Sequence, residues 1–398
     1  MESHEKESFS YARVFSGSLL VFGTAVGAGM LGIPLMTAKA GFGPAFLVTG
    51  LVWLFMTLTG LLLLEASLQM PQGANIISLS RRFLGTKGVW ISAVICLFLY
   101  NCLLVAYFAG GAPLLGQVIR LFGITSPPSI SLGLFAFLFG GVVLLGPTSI
   151  DRVNRFLAMG MLGLYVALVA WGSQKVESKQ LTDVKEFSSM MMAVPMLVGA
   201  FGYHSVIPSL TTYLHKQKKV LRASILIGTS LAFLFYVVWQ WMILGSVSPS
   251  VLEETLAKGL PVTYALGGDF LYVLGQGFAF LALTTSFLGI SFSLVDFIQD
   301  GVQQVGWRMH RLYCALLALL PPLLCVLLNP TIFDRALNIA GGIGVAILNG
   351  LFPVLLFLKM RQLLGMPRLS MSKKNLLGFL IFFSLFIFFY EVYHLIVA

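Results

Sequence analysis

Charged side chains are scarce in this chain. Only 10% of its 398 residues are Asp, Glu, Lys or Arg, whereas 58% are hydrophobic. A soluble protein of this length could not cover its surface with so few charges, so the shortage indicates a polytopic helical membrane protein. The net charge of +10 does not indicate nucleic-acid binding, because the basic residues lie in short loops between apolar runs.

Groups that carry catalytic or metal chemistry are also few. No Ser/His/Asp set stands in a recognisable context, and the sequence has neither an H-E-x-x-H motif nor a P-loop. We interpret the four cysteines as packed hydrophobic side chains, because they lie in apolar segments without metal-ligand spacing: Cys96, Cys102, Cys314 and Cys325. We therefore predict neither an enzyme nor a bound cofactor. A cleavable signal peptide is not expected, because residues 1–13 are polar and the first apolar run leads into a glycine-rich stretch.

Glycine and proline are concentrated within the first apolar run. Residues 23–34 read Gly-Thr-Ala-Val-Gly-Ala-Gly-Met-Leu-Gly-Ile-Pro, with four glycines and one proline. Relative to alanine, each glycine costs a helix about 1 kcal/mol and a proline about 3 kcal/mol, so this stretch predicts an interrupted helix. In lipid an interruption is tolerated only where the freed backbone groups face protein, water or a ligand. The stretch therefore predicts a binding site.

A similar stretch occurs in the second half of the chain. Residues 198–208 and 26–34 both begin Val-Gly-Ala and end Ile-Pro. Two interrupted apolar segments in corresponding halves indicate the substrate site of a secondary transporter. Residues 27–32 also match the G-x-G-x-x-G dinucleotide fingerprint. That fingerprint requires a preceding strand and a following soluble helix, and here both flanks are apolar, so we do not predict a nucleotide site.

Eleven apolar runs are long enough to cross a membrane. Five runs from each interrupted segment would form two repeats, and an odd number of helices per repeat inverts their orientations and places the site near the midplane. We predict an all-α protein with a cytoplasmic tail at 1–13, a first repeat at 14–172 and an external loop at 173–189. A second repeat at 190–358, a cytoplasmic loop at 359–375 and an eleventh helix within 376–398 follow. The predicted spans are 14–36, 42–67, 89–119, 130–147, 154–172, 190–213, 223–246, 268–298, 309–328, 336–358 and 376–396.

The distribution of Lys and Arg predicts the orientation. With the N-terminus inside, 18 of the 25 basic residues fall in cytoplasmic loops and 7 in external ones. Basic residues favour cytoplasmic loops, so we expect a cytoplasmic N-terminus and an external C-terminus.

Several motifs resemble a known family. Gly23-x-Ala25-Val26-Gly27-x-Gly29 resembles the interrupted first helix of LeuT-type transporters. Phe201-Gly202-Tyr203-His204 with Pro208-Ser209-Leu210 resembles the sixth-helix motif of the tryptophan/tyrosine permeases, the hydroxy/aromatic amino acid permease family. Three further stretches resemble the same family, namely Leu99-Tyr100, Ala106-Tyr107 and Thr285-Ser286-Phe287-Leu288-Gly289. The likeness therefore covers almost the whole chain.

This resemblance implies a function and a location. We expect a LeuT-type fold in a bacterial inner membrane and uptake of an aromatic amino acid, with tyrosine favoured over tryptophan or phenylalanine. Symport with a proton is expected slightly ahead of symport with sodium. The alternatives are a sodium-coupled carrier of another neutral amino acid and, as a different class, a channel, which would need a polar stripe along several helices. The expected partners are the amino acid, the coupling ion and membrane lipid, with no nucleic acid; the oligomeric state stays open.

The two interruptions supply candidate substrate ligands. Backbone N–H groups of residues 28–32 would face the substrate carboxylate, and carbonyls near 198–201 would accept from its ammonium group. LeuT-type transporters place a tyrosine near the carboxylate, which implies this role for Tyr107, and His204 could bond the substrate or titrate. Simple helix packing is the alternative for the glycines and rings. The predicted substrate-binding residues are Thr24, Ala25, Gly27, Ala28, Gly29, Tyr107, Gly199, Phe201, Tyr203 and His204.

Candidate cation ligands lie on the eighth predicted helix. Ala282, Thr285 and Ser286 share one helix face, and the resemblance places that face against the first interruption. Five neutral oxygens would then surround one point, as sodium requires, with the freed carbonyls of Gly23 and Val26 completing the set. Alternatively, the hydroxyls bond their own helix. A second sodium site of that fold would require a polar residue at position 30, where this chain has Met30, so we predict at most one sodium site.

Two acids near predicted cytoplasmic helix ends, Glu65 and Asp296, are candidate gating residues. A solvated or salt-bridged acid at that depth is expected rather than a proton carrier at the midplane. Arg13 and Arg155 are the expected basic partners.

Overall fold

The computed structural model describes residues 10–71, 74–120, 123–124, 127–182, 186–267, 269–304 and 308–397. Most of the predicted tail at 1–13, residues 183–185 of the predicted external loop and residue 398 therefore lie outside the described residues. Throughout the described ranges the regular structure is helical, which confirms the predicted all-α class.

Sixteen α-helices follow one another along the described chain. In order they are α1 Tyr11–Ala25, α2 Ile33–Thr37, α3 Phe42–Ser67, α4 Ile76–Arg120, α5 Pro128–Leu144, α6 Pro147–Gly172, α7 Ser178–Thr182, α8 Val194–Ala200, α9 Ile207–Tyr213, α10 Lys218–Ser246, α11 Pro249–Ala257, α12 Asp269–Gln304, α13 Arg311–Leu328, α14 Phe333–Ile339, α15 Phe352–Leu363 and α16 Met371–Val397. Turns of 3-10 helix occupy Ala28–Leu31, Ser173–Lys175, Phe187–Ala193, His204–Val206 and Val262–Ala265, and a π-helix at Ala340–Leu351 joins α14 to α15.

Nine helical stretches among the described residues are long and apolar enough to cross a membrane: Phe42–Ser67, Ile76–Arg120, Arg152–Lys175, Ser189–Tyr213, Lys218–Ser246, Phe270–Gln303, Arg311–Leu328, Phe333–Leu363 and Met371–Val397. A further apolar helix, α5, is shorter, and the first predicted span is divided between α1 and α2. The chain is therefore a multi-pass membrane protein. The total of eleven spans and the five-plus-five division stay predictions.

Several helices begin earlier in the chain than the predicted spans, and α4 and α14 are two examples. The third predicted span started at residue 89, but α4 begins at Ile76 and bends at Gly85, whose φ of +70° favours glycine. The tenth started at residue 336, but α14 begins at Phe333. In both cases polar residues in the first turns lower the local hydropathy without ending the helix.

Helix α10 packs along both α1 and α3. Helix α12 packs between α6 and α4, and the π-helix packs against α8, α4 and α16. The crossing with α8 depends on glycine, because a Cβ on Gly341 would collide with the Pro195 carbonyl oxygen. Helix α3 contacts both interrupted segments, through α2 in the first and through α8 and α9 in the second.

All four cysteines are free thiols, as expected, and Cys96 and Cys314 are buried. Cys325 is exposed, so its interpretation as a packed side chain was wrong. It lies on the outer face of α13 together with the exposed Leu324 and Leu328, a face that hydropathy cannot distinguish from a buried one.

Candidate substrate site

The first interruption follows α1. The backbone is extended at Val26 and Gly27, and the chain then forms the 3-10 turn at Ala28–Leu31 before α2 begins. The N–H group of Ala28 donates to the Ser286 hydroxyl at 3.2 Å. A Cβ on Gly27 would lie 2.6 Å from that same oxygen. A side chain at Gly27 would therefore displace the Ser286 hydroxyl that accepts from Ala28.

The second interruption follows α8. Helix α8 ends at Ala200, the 3-10 turn His204–Val206 follows, and α9 begins at Ile207. A proline lies in the first turn of both α8 and α9, where its missing N–H group would have no helical partner in any case. Both interruptions are thus observed where glycine and proline predicted them.

The two interruptions meet. A Cβ on Gly29 would lie 3.0 Å from the Cα of Ala200, so the first segment touches the end of α8 through bare backbone. Gly199 packs in turn on Gly341 of the π-helix. Three predicted substrate residues, Gly27, Gly29 and Gly199, thereby make close contacts with other helices that a side chain would disrupt.

Helix α10 bonds to both interruptions. The Tyr236 hydroxyl lies 2.6 Å from the Ala25 carbonyl oxygen and 2.9 Å from the Ala200 carbonyl oxygen, and the Trp239 Nε1–H group donates to the Met30 carbonyl at 3.0 Å. These carbonyls lie where helices end and lack helical donors. The sequence analysis missed Tyr236 and Trp239, because an aromatic residue in an apolar helix gives no sign of the face it occupies.

Polar groups of α4 and α12 converge on the first interruption. The hydroxyl groups of Tyr107 and Ser286 interact, and Tyr107 also lies near Tyr236. Tyr107 and Ala28 are buried. The structure thus brings together Ala25, Gly27, Ala28, Tyr107 and Ser286 from the predicted set, with Tyr236 added.

The chain matches the model of the tryptophan/tyrosine permease family over residues 11–392. It belongs to this family. The tyrosine-specific transport system 1 of Haemophilus influenzae is 32% identical over 340 residues, which cover 83% of this chain and 84% of that protein. The tryptophan-specific transport protein of Pseudomonas aeruginosa is 28% identical over 367 residues, covering 89% and 88%. Since the family consists of permeases, the prediction that the chain is not an enzyme is confirmed.

A solved structure shares the fold of this permease. MhsT in complex with L-phenylalanine aligns with a TM-score of 0.65 and 15% sequence identity over 96% of this chain and 98% of that chain. The likeness identifies a LeuT-type fold.

The predicted cation ligands occupy different settings in the permease. Ser286 contacts the first interruption, whereas the Thr285 hydroxyl donates to the Ala282 carbonyl of its own helix at 3.0 Å. Gly23 is exposed and has open space where a Cβ would lie. The neighbouring Thr24 is also exposed, and its hydroxyl donates to Leu20 within α1 at 2.7 Å. Val26 is buried beside these residues.

The rings of the second interruption are bonded to α3. The His204 Nε2 atom lies 3.0 Å from the Thr59 hydroxyl, which itself lies 3.1 Å from two carbonyl oxygens of α3. Thr59 and His204 thus share a hydrogen bond whose direction depends on the tautomer of the ring, and the His204 Nδ1 atom has no partner among the described residues. The Tyr203 hydroxyl donates to Met56 at 3.1 Å. Phe201 is buried against Tyr236, with ring centroids 5.0 Å apart.

Both gating candidates are salt-bridged. Glu65 pairs with Lys218 at 2.7 Å and with Arg222 at 2.6 Å, joining α3 to the start of α10. Asp296 pairs with Arg311 at 2.9 Å, joining α12 to α13. These basic partners differ from the expected Arg13 and Arg155, because sequence does not reveal which helix ends are neighbours.

Two further buried acids escaped the sequence analysis. Asp334 lies in the first turn of α14, and its Oδ1 atom would be 3.2 Å from a Cβ on Gly32 at the start of α2. Glu391 is buried on α16, where its side chain packs on Gly342. Asp334 had been assigned to a loop because the predicted span began two residues later. Glu391 lay inside the predicted eleventh helix and was overlooked.

Proposed function

We propose that this permease imports an aromatic amino acid, with tyrosine favoured over tryptophan and phenylalanine, by symport with a proton. The observation that carries the proposal is the meeting of the two interruptions, at Gly29 and Ala200, under the hydroxyl group of Tyr236. The interruptions release backbone N–H and C=O groups from helical hydrogen bonds inside the bundle, and these groups suit a zwitterionic substrate. Family membership supports the aromatic side chain.

We propose that the substrate backbone lies between the interruptions. The N–H groups of Ala28, Met30 and Gly32 already donate to Ser286, Gly27 and Gly29. Among residues 28–32, this favours the Gly29 N–H group as a donor to the substrate carboxylate. The carbonyl groups of Ala25 and Ala200 suit the ammonium group, since a carbonyl oxygen can accept two hydrogen bonds.

The aromatic part of the substrate would lie against the remaining predicted residues. These are Thr24, Gly199, Phe201, Tyr203 and His204, whereas Tyr107, which interacts with Ser286, would lie near the substrate carboxylate. Phe201 borders the second interruption, and aromatic pairs gain about 0.5–1.5 kcal/mol beyond the burial of their surface. This arrangement supports discrimination between aromatic and aliphatic substrates.

Sodium symport is the second candidate for coupling. The Ser286 hydroxyl at the first interruption supports it, because hydroxyl and carbonyl oxygens are the ligands that sodium takes in such transporters. The Thr285 hydroxyl, which bonds its own helix, supports proton coupling instead. For sodium we propose Gly23, Val26, Ala282, Thr285 and Ser286 as the face that binds the ion.

We also propose the predicted inner-membrane topology. The N-terminus would be cytoplasmic and the C-terminus external, with repeats at 14–172 and 190–358 in opposite orientations. The corresponding interruptions at the start of each repeat support this arrangement. In that orientation the Glu65 and Asp296 salt bridges lie on the cytoplasmic side, where they would oppose inward opening.

Transport by the purified permease in proteoliposomes tests the function. Labelled tyrosine outside should exchange against unlabelled tyrosine, tryptophan or phenylalanine trapped inside, because a carrier can reorient with internal substrate bound to its site. Exchange with none of these three would contradict the proposed substrate class, and flux without exchange stimulation would indicate a channel. An inward proton gradient without sodium should then drive accumulation. Accumulation only under a sodium gradient, with equal pH on both sides, would replace the proton by sodium.

A further inference from the structure

Asp334 is the most isolated acid among the described residues. Its side chain is 5% exposed, and neither carboxyl oxygen has a hydrogen-bond partner within the part of the chain that the structure describes. The Oδ1 atom lies beside Gly32, where the first interruption ends and α2 begins. Met196 of α8 lies against the same Cβ position of Gly32, so the carboxyl lies at the junction of three segments.

The helices packed against α14 bring little charge to this carboxyl. Helix α8 and the π-helix have no titratable side chain, and neither has α2. Helix α4 contributes neutral groups within the bundle, namely Cys96, Tyr100, Cys102 and Tyr107. Its cations lie towards its two ends, Arg81, Arg82 and Lys87 in the first part and Arg120 at the last residue. On α14 itself, Arg335 is exposed and acts on Glu391 of α16. A carboxylate at Asp334 would therefore have neither a donor nor a close counter-ion.

An ionised carboxylate in that setting is expensive. Burying a charge without a partner costs several kcal/mol even after the surroundings relax, and a group that can bind a proton becomes neutral instead. In the arrangement observed here, Asp334 is therefore a neutral acid. A rearrangement that admits water to Gly32 would allow it to ionise, so its proton occupancy depends on the conformation of the first interruption.

We propose that the carboxyl group of Asp334 binds the coupling proton next to the first interruption, an inference that rests on the proposed proton symport. In the predicted orientation Asp334 lies on the external side of the interruption. A proton from external water binds one carboxylate oxygen and gives the neutral acid, which permits the closed packing around Gly32. After inward opening, the acid returns that proton to internal water, and the carboxylate is restored.

This assignment differs from the role proposed for His204. His204 is bonded through Nε2 to Thr59, so its ring already has a fixed protein partner. Asp334 has none among the described residues. A group that gains and loses a proton in each cycle needs two settings of different polarity, and Asp334 lies beside Gly32, where the first interruption joins α2.

Asp334→Asn tests the proposal in proteoliposomes, because the amide keeps the shape of the acid and cannot exchange a proton. With one proton per substrate, an inward gradient of one pH unit supports about tenfold accumulation by the wild type. In the variant, the internal tyrosine concentration should not exceed about one times the external concentration, while its counterflow stays above that of protein-free vesicles. Asp334→Glu should restore part of the accumulation. Asp300→Asn, at an exposed carboxyl near the end of α12, is the matched control and should accumulate like the wild type.

The outcomes separate this inference from the proposed function. If the wild type and Asp334→Asn accumulate equally, the inference is overturned and proton symport stands. If the wild type exchanges tyrosine but no proton gradient drives accumulation, proton symport and the inference both fail. Should Asp334→Asn not fold, infrared spectra of wild-type protein with carbon-13 aspartate decide the question. A protonated-carboxyl band that shifts on labelling and changes with pH supports the inference, and its absence refutes it.

Discussion

Gly29 and Ala200 touch so closely that a Cβ on Gly29 would lie 3.0 Å from both the Cα and the Cβ of Ala200. Ordinary contacts between carbon atoms are about 3.5–4.0 Å long. Any side chain at Gly29 must therefore separate the two interrupted segments. The distance between them is set by backbone alone, which explains why glycine stands at this position in the first segment.

Gly29→Leu should abolish substrate binding while the protein still inserts and folds, because the larger side chain holds the two interruptions apart. Equilibrium binding of labelled tyrosine to detergent-purified protein measures this directly. Gly141→Leu is the matched control, since a Cβ on Gly141 in α5 meets open space. Wild-type affinity in Gly29→Leu would show that the substrate does not use this contact.

Tyr236→Phe should lower both the stability and the substrate affinity of the protein. The change removes the hydroxyl beside the Ala25 and Ala200 carbonyls, and an unsatisfied buried acceptor costs about 1–3 kcal/mol. Thermal unfolding with and without tyrosine reports both quantities. Tyr313→Phe, at a largely exposed ring, should change neither. An unaltered melting temperature and affinity in Tyr236→Phe would remove Tyr236 from the site.

His204→Ala should reduce uptake by more than about tenfold at every pH, because the ring supports the second interruption and meets the substrate. The shape of the pH profile should not change, since we assign the coupling proton to Asp334. Thr59→Val removes the hydrogen-bond partner of His204 and should produce a smaller loss in the same direction. Wild-type uptake by His204→Ala between pH 5 and 8 would make this histidine a packing residue.

Ser286→Ala should weaken substrate binding, because it leaves the Ala28 N–H group without its acceptor. Thr285→Ala should have little effect, because the Thr285 hydroxyl bonds only its own helix in this conformation. Uptake of labelled tyrosine by each variant, measured once under a proton gradient and once under a sodium gradient, should fall in Ser286→Ala and stay near the wild-type level in Thr285→Ala. Loss of sodium-driven accumulation in both would instead support the sodium site.

The helices and their interruptions could be predicted because their signals are local. Apolar runs and clustered glycine and proline act on the chain segment that contains them, as residues 23–34 show. Partners of the interruptions could not be predicted in the same way. Tyr236 and Trp239 look like ordinary apolar packing until the face of α10 is known. Asp334 was excluded by a boundary error of a few residues, and the partners of Glu65 depend on which helix ends are neighbours.

The Tyr236 hydroxyl has one proton and lies within hydrogen-bonding distance of two carbonyl oxygens, those of Ala25 and Ala200. At any moment it can donate to only one of them. The other carbonyl keeps a vacant lone pair, and an arriving ammonium group would select which one. Because Ala25 and Ala200 belong to different halves of the chain, rotation about the Tyr236 C–O bond would move this hydrogen bond from one interruption to the other.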